Sequence, residues 1–408
     1  MLTLDEARTR LAQDARALPP ELLGTDAALG RYLAEDVLAR EDAPPFDNAA
    51  MDGWALRATD VAGASKGTPA RLRRAGFESR AGGGLPPALA PGEAMRIYTG
   101  AALPAGADAI VVQEEAEVRG DHVALAFAAG PDHHIRRQAS DLAAGATLLG
   151  AGTRLGPGAL ALLASQGHTL VRVHRAPRVA VLVTGDELHD VGAPRPPGTL
   201  YDSNGPLLQA LLREAGALPS RLPRVGDDAD AMTAALAGGL ATADLVVTTG
   251  GASVGRHDHV RGALARLGVE LLVPKVRVKP GKPFAFGRRD AVAVAVLPGN
   301  PVSAFVTFQL FVRPWLRRSL GDPRPERPRL RAQLAHDHRH SPGRPELARG
   351  RLEADGAGGW LVHLAARQGS GSLGSLADDA LALLPEGQTD LPAGTSVEAI
   401  WLHPTTSG

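Results

Sequence analysis

Three of the chain's four lysines, Lys275, Lys279 and Lys282, fall in the run VPKVRVKPGKPFAFG. Almost every other positive charge is arginine, so a lysine trio in one short stretch marks a local requirement. An ammonium is a compact point charge and a guanidinium a planar fork, and the two grip oxyanions differently. Pro280 and Gly281 bend the backbone between Lys279 and Lys282, which lets both side chains converge on an anion.

Three further loops carry unusual content: TGDEL (184–188), TTGGASVG (248–255) and LPGNPVS (297–303). Gly250 and Gly251 allow successive backbone N–H groups to face an oxyanion. Asn300 reads as the cap of the helix that follows, with Pro301 in its first turn, which aims a helix N-terminus at the same place. Carboxylates are plentiful in this region: Asp186, Glu187, Asp202, Asp227, Asp228 and Asp258. Lysines beside several acids suit a site where Mg²⁺ bridges phosphate oxygens and carboxylates. Asp258 reads equally as a helix cap and Asp186 as a turn former. Asp227 and Asp228 are neighbours, and adjacent side chains seldom serve one site together.

The elements that must position these loops follow from periodicity. Thr3 and Glu6 have the form of a capping box, and Leu4, Ala7, Leu11, Ala15 and Leu18 then keep helical spacing. Residues 43–53, APPFDNAAMDG, form a punctuated loop, and from there to about Arg137 the chain reads as short strands and turns. Residues 157–167 predict a short helix. After Pro177 the pattern alternates. RVAVLVTG, ADLVVTTGG and DAVAVAVLPG are apolar strands. NGPLLQALLREAG, capped by Ser203 or Asn204, DHVRGALARLG and the long PVSAFVTFQLFVRPWLRRSL are helices. That alternation predicts a parallel sheet covered on both faces, with a ligand crevice at the carboxyl ends of its strands, where the three loops lie. SLGDPRPERPRLR is a linker, and the rest is strand-like again.

A chain of 408 residues exceeds one compact core, so two to four domains are expected. The formal net charge is zero, against a general nucleic-acid binder, and the absence of cysteine excludes thiolate ligands, thiolate nucleophiles and disulfides. No apolar run approaches a membrane span and MLTLDEARTR lacks a secretory pattern, so a soluble, cytoplasmic protein is expected, with no nucleic-acid or membrane partner. His336, His338 and His340 alternate as on an exposed strand face, and neither they nor His257 and His259 are assigned to a metal.

Taken in order, FDNAAMDGWA, RIYTGAALPAGADAIVVQEE, RVAVLVTGDEL, YDSN, VVTTGGASVGRHD, KVRVKPGKPFAFG and LPGNPVSAF resemble the MoeA family of molybdopterin molybdenumtransferases. That family is related to the E domain of gephyrin and its plant counterpart. The resemblance spans essentially the whole chain and is weakest after about residue 325. It implies a multidomain α/β plus β fold. Residues 176–322 would form a MogA-like three-layer α/β molybdopterin-binding domain, and 43–137 an inserted small β domain. Residues 1–42 with 138–175 would form a discontinuous helical segment, and 326–408 a C-terminal β-barrel.

It also implies a reaction. Members take adenylylated molybdopterin and molybdate, hydrolyse the adenylate with a divalent cation such as Mg²⁺, release AMP and leave molybdenum on the pterin's dithiolene sulfurs. An elongated homodimer is implied, with sites shared between subunits, and contacts with the upstream adenylyltransferase and with molybdoenzyme maturation proteins. Residue by residue, Asp52 and Thr99 match the small β domain that closes over the partner subunit's α/β site, and Asp47 shares the Asp52 loop. Glu187 and Asp227 match acids tied to metal or nucleotide handling. Asp258 matches the acid of the SVG-x-x-D loop, in which Gly250, Gly251 and Ser253 precede it as substrate-binding positions. Lys275 and Lys279 match lysines suited to molybdate or phosphate, Lys282 completes the PGKP turn, and Pro298, Asn300 and Pro301 shape the third loop. IRRQASD offers Arg136, Arg137 and Asp141, although its arginines read equally as a solvated turn. A weaker match in GRPELARG extends the likeness to Arg344, Glu346 and Arg349, and beyond it to Ser370. The chain departs from the common pattern at Ser140, His259 and Leu347. Three other readings stay open: an adenylyltransferase, a non-catalytic scaffold of the same fold, and a paralogue that handles tungstate.

Overall fold

The computed structural model describes residues 1–226, 228–250, 259–369 and 371–402. The N-terminal helix α1 (Leu4–Asp14) starts in the expected capping box: Thr3 Oγ1 accepts from Glu6 N and Glu6 Oε2 from Thr3 N. A six-stranded sheet follows, made of β1 (Gly53–Leu56), β2 (Ala70–Ser79), β3 (Glu93–Ile97), β4 (Ala109–Val112), β5 (Ala116–Arg119) and β6 (His122–Leu125), in the order β4-β1-β3-β2-β6-β5. It has its own core around Trp54, Leu56, Leu72, Val111 and Leu125. The segments on either side of this insertion come back together. Pro20–Gly24 pairs with Leu170–His174, Val37–Leu38 with Thr147–Leu149, and Leu33, Leu148, Leu155 and Val173 share a small core with Leu163 of helix α2 (Pro157–Ser165).

The second six-stranded sheet is the frame for the loops. It comprises β7 (Arg178–Val183), β8 (Leu218–Arg221), β9 (Leu245–Thr249), β10 (Glu270–Val273), β11 (Ala285–Arg289) and β12 (Val292–Leu297), in the order β8-β7-β9-β12-β11-β10. The four strands β8, β7, β9 and β12 are parallel, as the alternation predicts, whereas β11 and β10 run antiparallel at the edge. Along β7 the side chains divide between two cores. Val179, Val181 and Val183 face α3 (Asn204–Glu214) and the helix that begins at Pro301, while Ala180 and Leu182 face α4 (Ala229–Thr242) and α5 (His259–Arg266). A strand buried on both faces has no polar side, which is why these strands read as unbroken apolar runs. The first core also takes in Ala7 and Leu11 of α1.

The long C-terminal helix of this layer is α-helical over Pro301–Thr307, winds one π turn over Phe308–Val312, and resumes over Arg313–Ser319. Pro314 has no N–H and its ring crowds the carbonyl four residues back, so the wider turn accommodates it without a break. After the linker, β13 (Arg329–Leu334), β14 (Glu346–Ala354), β15 (Trp360–Leu364), β16 (Ala380–Leu384) and β17 (Ser396–Trp401) close a barrel in the order β13-β15-β14-β16-β17. Its Leu347, Leu381, Ile400 and Leu402 belong to the same core as the sheet, so barrel and sheet are packed as one body at that seam. No helix among the described residues is long and apolar enough to cross a membrane.

A bidentate pair ties the connector before β7 to the sheet. Arg175 donates from both terminal nitrogens to Asp244 at 2.6 Å, and Arg178 N donates to the same carboxylate at 2.8 Å. Burial alone would raise the Asp244 carboxyl, but these bonds and the charges of Arg175 and Arg178 outweigh it and hold it below the usual carboxylate range. Its stabilising contribution is therefore present above the unfolded-state value and lost as pH falls through the lower folded one. Asp244→Asn is expected to flatten the acid limb of a melting-temperature profile between about pH 5 and pH 3; an unchanged limb would remove this pair as its cause.

Candidate active site

Glycines interlock the three strand-end loops. Gly250, at the end of β9, has φ +89°, and a Cβ there would lie 2.5 Å from Thr184 Oγ1 and 2.7 Å from Thr184 O, at the end of β7. Gly299, after β12, faces Gly250 Cα, 3.3 Å from where its own Cβ would be. Asn204, the first residue of α3, donates through Nδ2 to Gly299 O at 2.7 Å. Asn300 caps the next helix by accepting from Val302 N, with Pro301 at its first position, as expected. Thr248 Oγ1, Thr249 Oγ1 and Asn204 Oδ1 are buried at these loop bases without a hydrogen-bond partner among the described residues.

The acids separate by role. Asp202 is 1% exposed, accepts from Gly205 N and from Arg221, and so holds the start of α3 in place. Asp228 caps α4. Glu187 is exposed, and Asp186 Oδ1 lies over Gly226, 2.4 Å from where a Cβ on that glycine would be. Asp227, Asp258, Gly251, Ser253, His257 and Ser370 lie outside the described residues. Among the described residues no three acids or histidines gather into a metal-binding group.

The lysine run is a strand-like segment shared by three parts of the molecule. Leu2 N donates to Lys275 O at 3.0 Å and Arg277 N to Leu2 O at 2.8 Å, so the N-terminus flanks it. Val276 and Val278 are fully buried, while Lys275, Arg277 and Lys279 alternate with them on the outer side. The PGKP turn brings Lys282 O back onto Val276 N at 3.3 Å. Gly281 makes the turn possible: its φ is +123°, and a Cβ would lie 2.4 Å from Thr307 Cγ2 of the Pro301–Thr307 helix. Lys279 bonds through Nζ to Glu346 Oε2 at 2.9 Å. Among the described residues neither Lys275 nor Lys282 has a hydrogen bond or ion pair at its ammonium, and Lys282 is exposed.

In the small β domain Asp52 and Thr99 meet directly. Asp52 Oδ1 accepts from Thr99 N and Thr99 Oγ1, each at 2.7 Å, and these two bonds hold its carboxyl below the usual range. Arg137 is consumed by Asp47 and Asp132. Burial would raise the Asp47 carboxyl, but a bond from Gln138 N and the Arg137 guanidinium outweigh it and lower it. Arg136 is exposed, pairs in the ladder with Asn48, and has no side-chain partner among the described residues. Asp141 is exposed, with its N–H on Ala43 O. No hydrogen bond among the described residues joins Asp52, Thr99, Arg136 or Asp141 to the strand-end loops of the same chain.

Two features escaped the sequence. His340 is buried, its side chain 1% exposed, so the alternating histidines do not share an exposed face; His340 Nδ1 lies 3.3 Å from Glu346 Oε2. Arg349 is buried among Ser375 Oγ and the carbonyls of Arg367 and Gly369, and burial lowers its guanidinium.

Three family descriptions cover this architecture in order: residues 2–167 match the MoeA N-terminal region (domain I and II), 180–318 a probable molybdopterin binding domain, and 331–402 the MoeA C-terminal region (domain IV). The fold is thus that of a multidomain protein built around a molybdopterin-binding α/β unit. The chain is 36% identical to the molybdopterin molybdenumtransferase of a Nostoc species, over 94% of this chain and 88% of that one. It is also 36% identical to molybdopterin molybdenumtransferase 2 of Mycobacterium tuberculosis, over 98% and 99% of the two chains. The crystal structure of a molybdopterin biosynthesis MoeA protein from Pyrococcus horikoshii superposes with a TM-score of 0.85 at 31% identity, covering 99% of this chain and 100% of that one. The chain belongs to the MoeA family, the molybdopterin molybdenumtransferases.

Proposed function

We propose that this enzyme inserts molybdenum from molybdate into adenylylated molybdopterin, hydrolysing the adenylate in a Mg²⁺-dependent step and releasing AMP, as a cytoplasmic homodimer. The observation that carries the reading is the alternation along 275–279, which buries Val276 and Val278 and turns Lys275 and Lys279 outward in a chain of this family. Two ammonium groups on a strand whose backbone is anchored from both sides present positive charge to a tetrahedral oxyanion. Gly250, packed on Thr184 and Gly299, holds the strand-end loops together at the crevice, and Asn300 keeps the neighbouring helix start in register. Glu187, exposed beside Asp186, and Asp227 would hold Mg²⁺ through the hard oxygen donors that this ion takes. When bound there, the ion would polarise a phosphoryl oxygen.

AMP release from adenylylated molybdopterin and Mg²⁺, with and without molybdate, tests the reading. Molybdate-dependent release with metal-loaded cofactor is expected. Adenylylation of free molybdopterin from ATP would make this the upstream enzyme, and silence in both assays would make it a scaffold.

We take Asp52 and Thr99 to complete the partner subunit's site, in keeping with their making no hydrogen bond to the strand-end loops of their own chain among the described residues. Asp52→Ala and Lys275→Ala each lower turnover by about a hundredfold in this reading. Mixed and allowed to exchange subunits, the two variants are expected to recover about a quarter of wild-type activity, since half the dimers would hold one intact site of two. No recovery, with exchange shown by mass, would place both residues in one subunit's site.

A further inference from the structure

We infer that Glu346, the first residue of β14, is a positioning residue for Lys279, which makes the C-terminal barrel a working part of the oxyanion site. This rests on the assignment of Lys279 to oxyanion binding. The contact is built in both backbone and side chain. Lys279 N donates to Pro345 O at 2.9 Å and Leu347 N to Lys279 O at 2.8 Å, so the two segments are paired where their side chains meet. Lys279 Nζ then lies 2.9 Å from Glu346 Oε2. Glu346 is 2% exposed and Lys279 34%, so the carboxylate is enclosed while the cation stays open to a ligand. His340 Nδ1 lies 3.3 Å from the same Oε2, and His340 N donates to Thr389 O at 2.9 Å.

The chemistry favours orientation over simple neutralisation. A lysine ammonium carries three donors, so the bond to Glu346 occupies one and leaves two for an incoming oxyanion. A free lysine stem samples many rotamers, and an electrostatic site works only if its charge is already in place when the ligand arrives. A buried carboxylate, in turn, is tolerable only beside a counter-charge. Each group therefore holds the other, and the barrel decides where the ammonium stands.

A double-mutant cycle tests this. Glu346→Gln keeps the shape and one acceptor but removes the charge. It is expected to raise the KM for molybdate about tenfold, the loss of one charge-assisted bond, while the KM for adenylylated molybdopterin moves less than about twofold. In a Lys279→Ala background the same change is expected to add nothing, because its effect runs through Lys279. Glu346→Asp keeps the buried charge, and so the fold, but draws the carboxylate back; it too is expected to raise the molybdate KM, with an unchanged melting temperature. An unaltered molybdate KM in Glu346→Gln or Glu346→Asp, or a loss that adds fully to that of Lys279→Ala, overturns the inference while leaving Lys279 in the site. A normal molybdate KM in Lys279→Ala itself overturns the assignment beneath it.

Discussion

Lys275→Ala is expected to cut molybdate-dependent AMP release by about a hundredfold, the effect of removing one charge that faces a developing anion, with no change in melting temperature. Lys279→Ala is expected to lose as much turnover and to unfold several degrees earlier. The two lysines look alike in sequence and differ in what stands behind them. Lys275 has no carboxylate partner among the described residues, so its removal leaves nothing uncompensated. Lys279 is the counter-charge of Glu346, which is 2% exposed, and stranding that carboxylate costs about 3 kcal/mol. Calorimetry beside the AMP assay separates the two. Equal melting temperatures in both variants would show that Glu346 finds other compensation, with His340 at 3.3 Å the nearest group able to supply it.

Gly250→Ala is expected to damage both the fold and the strand-end loops. It would force an L-residue to φ +89° and place its Cβ 2.7 Å from the carbonyl oxygen of Thr184, which is backbone and cannot rotate away. Strain and displacement together cost about 3 kcal/mol or more. The displaced atoms belong to the end of β7 and, through Gly299, to the loop after β12, so turnover should fall at least about tenfold even in the fraction that folds. Gly238 is the control. It sits inside α4 with nothing within 4 Å of an added Cβ, and alanine there is expected to be neutral or to stabilise by up to about 1 kcal/mol. A Gly250→Ala protein with native melting and turnover would show that the loops do not depend on one another.

Much of this was written locally and could be read locally. The Thr3–Glu6 box, the Asn300 cap and the apolar runs of β7, β9 and β12 each depend on residues within a few positions of one another. So does the alternation that turns Lys275 and Lys279 outward. What escaped was set by distant partners or by weak local signals. Helix α4 is rich in alanine and glycine, with little contrast between its faces, and β10 and β11 are short strands on either side of a turn that draws attention to itself. The burial of His340 and the pairing of Glu346 with Lys279 bridge separations that no periodicity encodes: the latter two residues are 67 positions apart. Arg136 and Arg137 show the same limit at close range. Nothing in IRRQ says which arginine is consumed, yet the fold gives Arg137 to Asp47 and Asp132 and leaves Arg136 in the ladder with Asn48.

The strand around Lys275–Lys279 is bonded at one end to Leu2 and at the other to Pro345 and Leu347. Those partners lie near opposite ends of the chain, and the contact with Leu2 is among the most non-local in the molecule. Contacts of that span form late, because the intervening chain must already be ordered before they repay their loop entropy. During synthesis the first pairing waits for residue 277 and the second for residue 347, by which time the sheet beneath is complete. Catalytic competence should therefore trail compactness: a refolding chain regains its secondary structure first and its grip on oxyanions last.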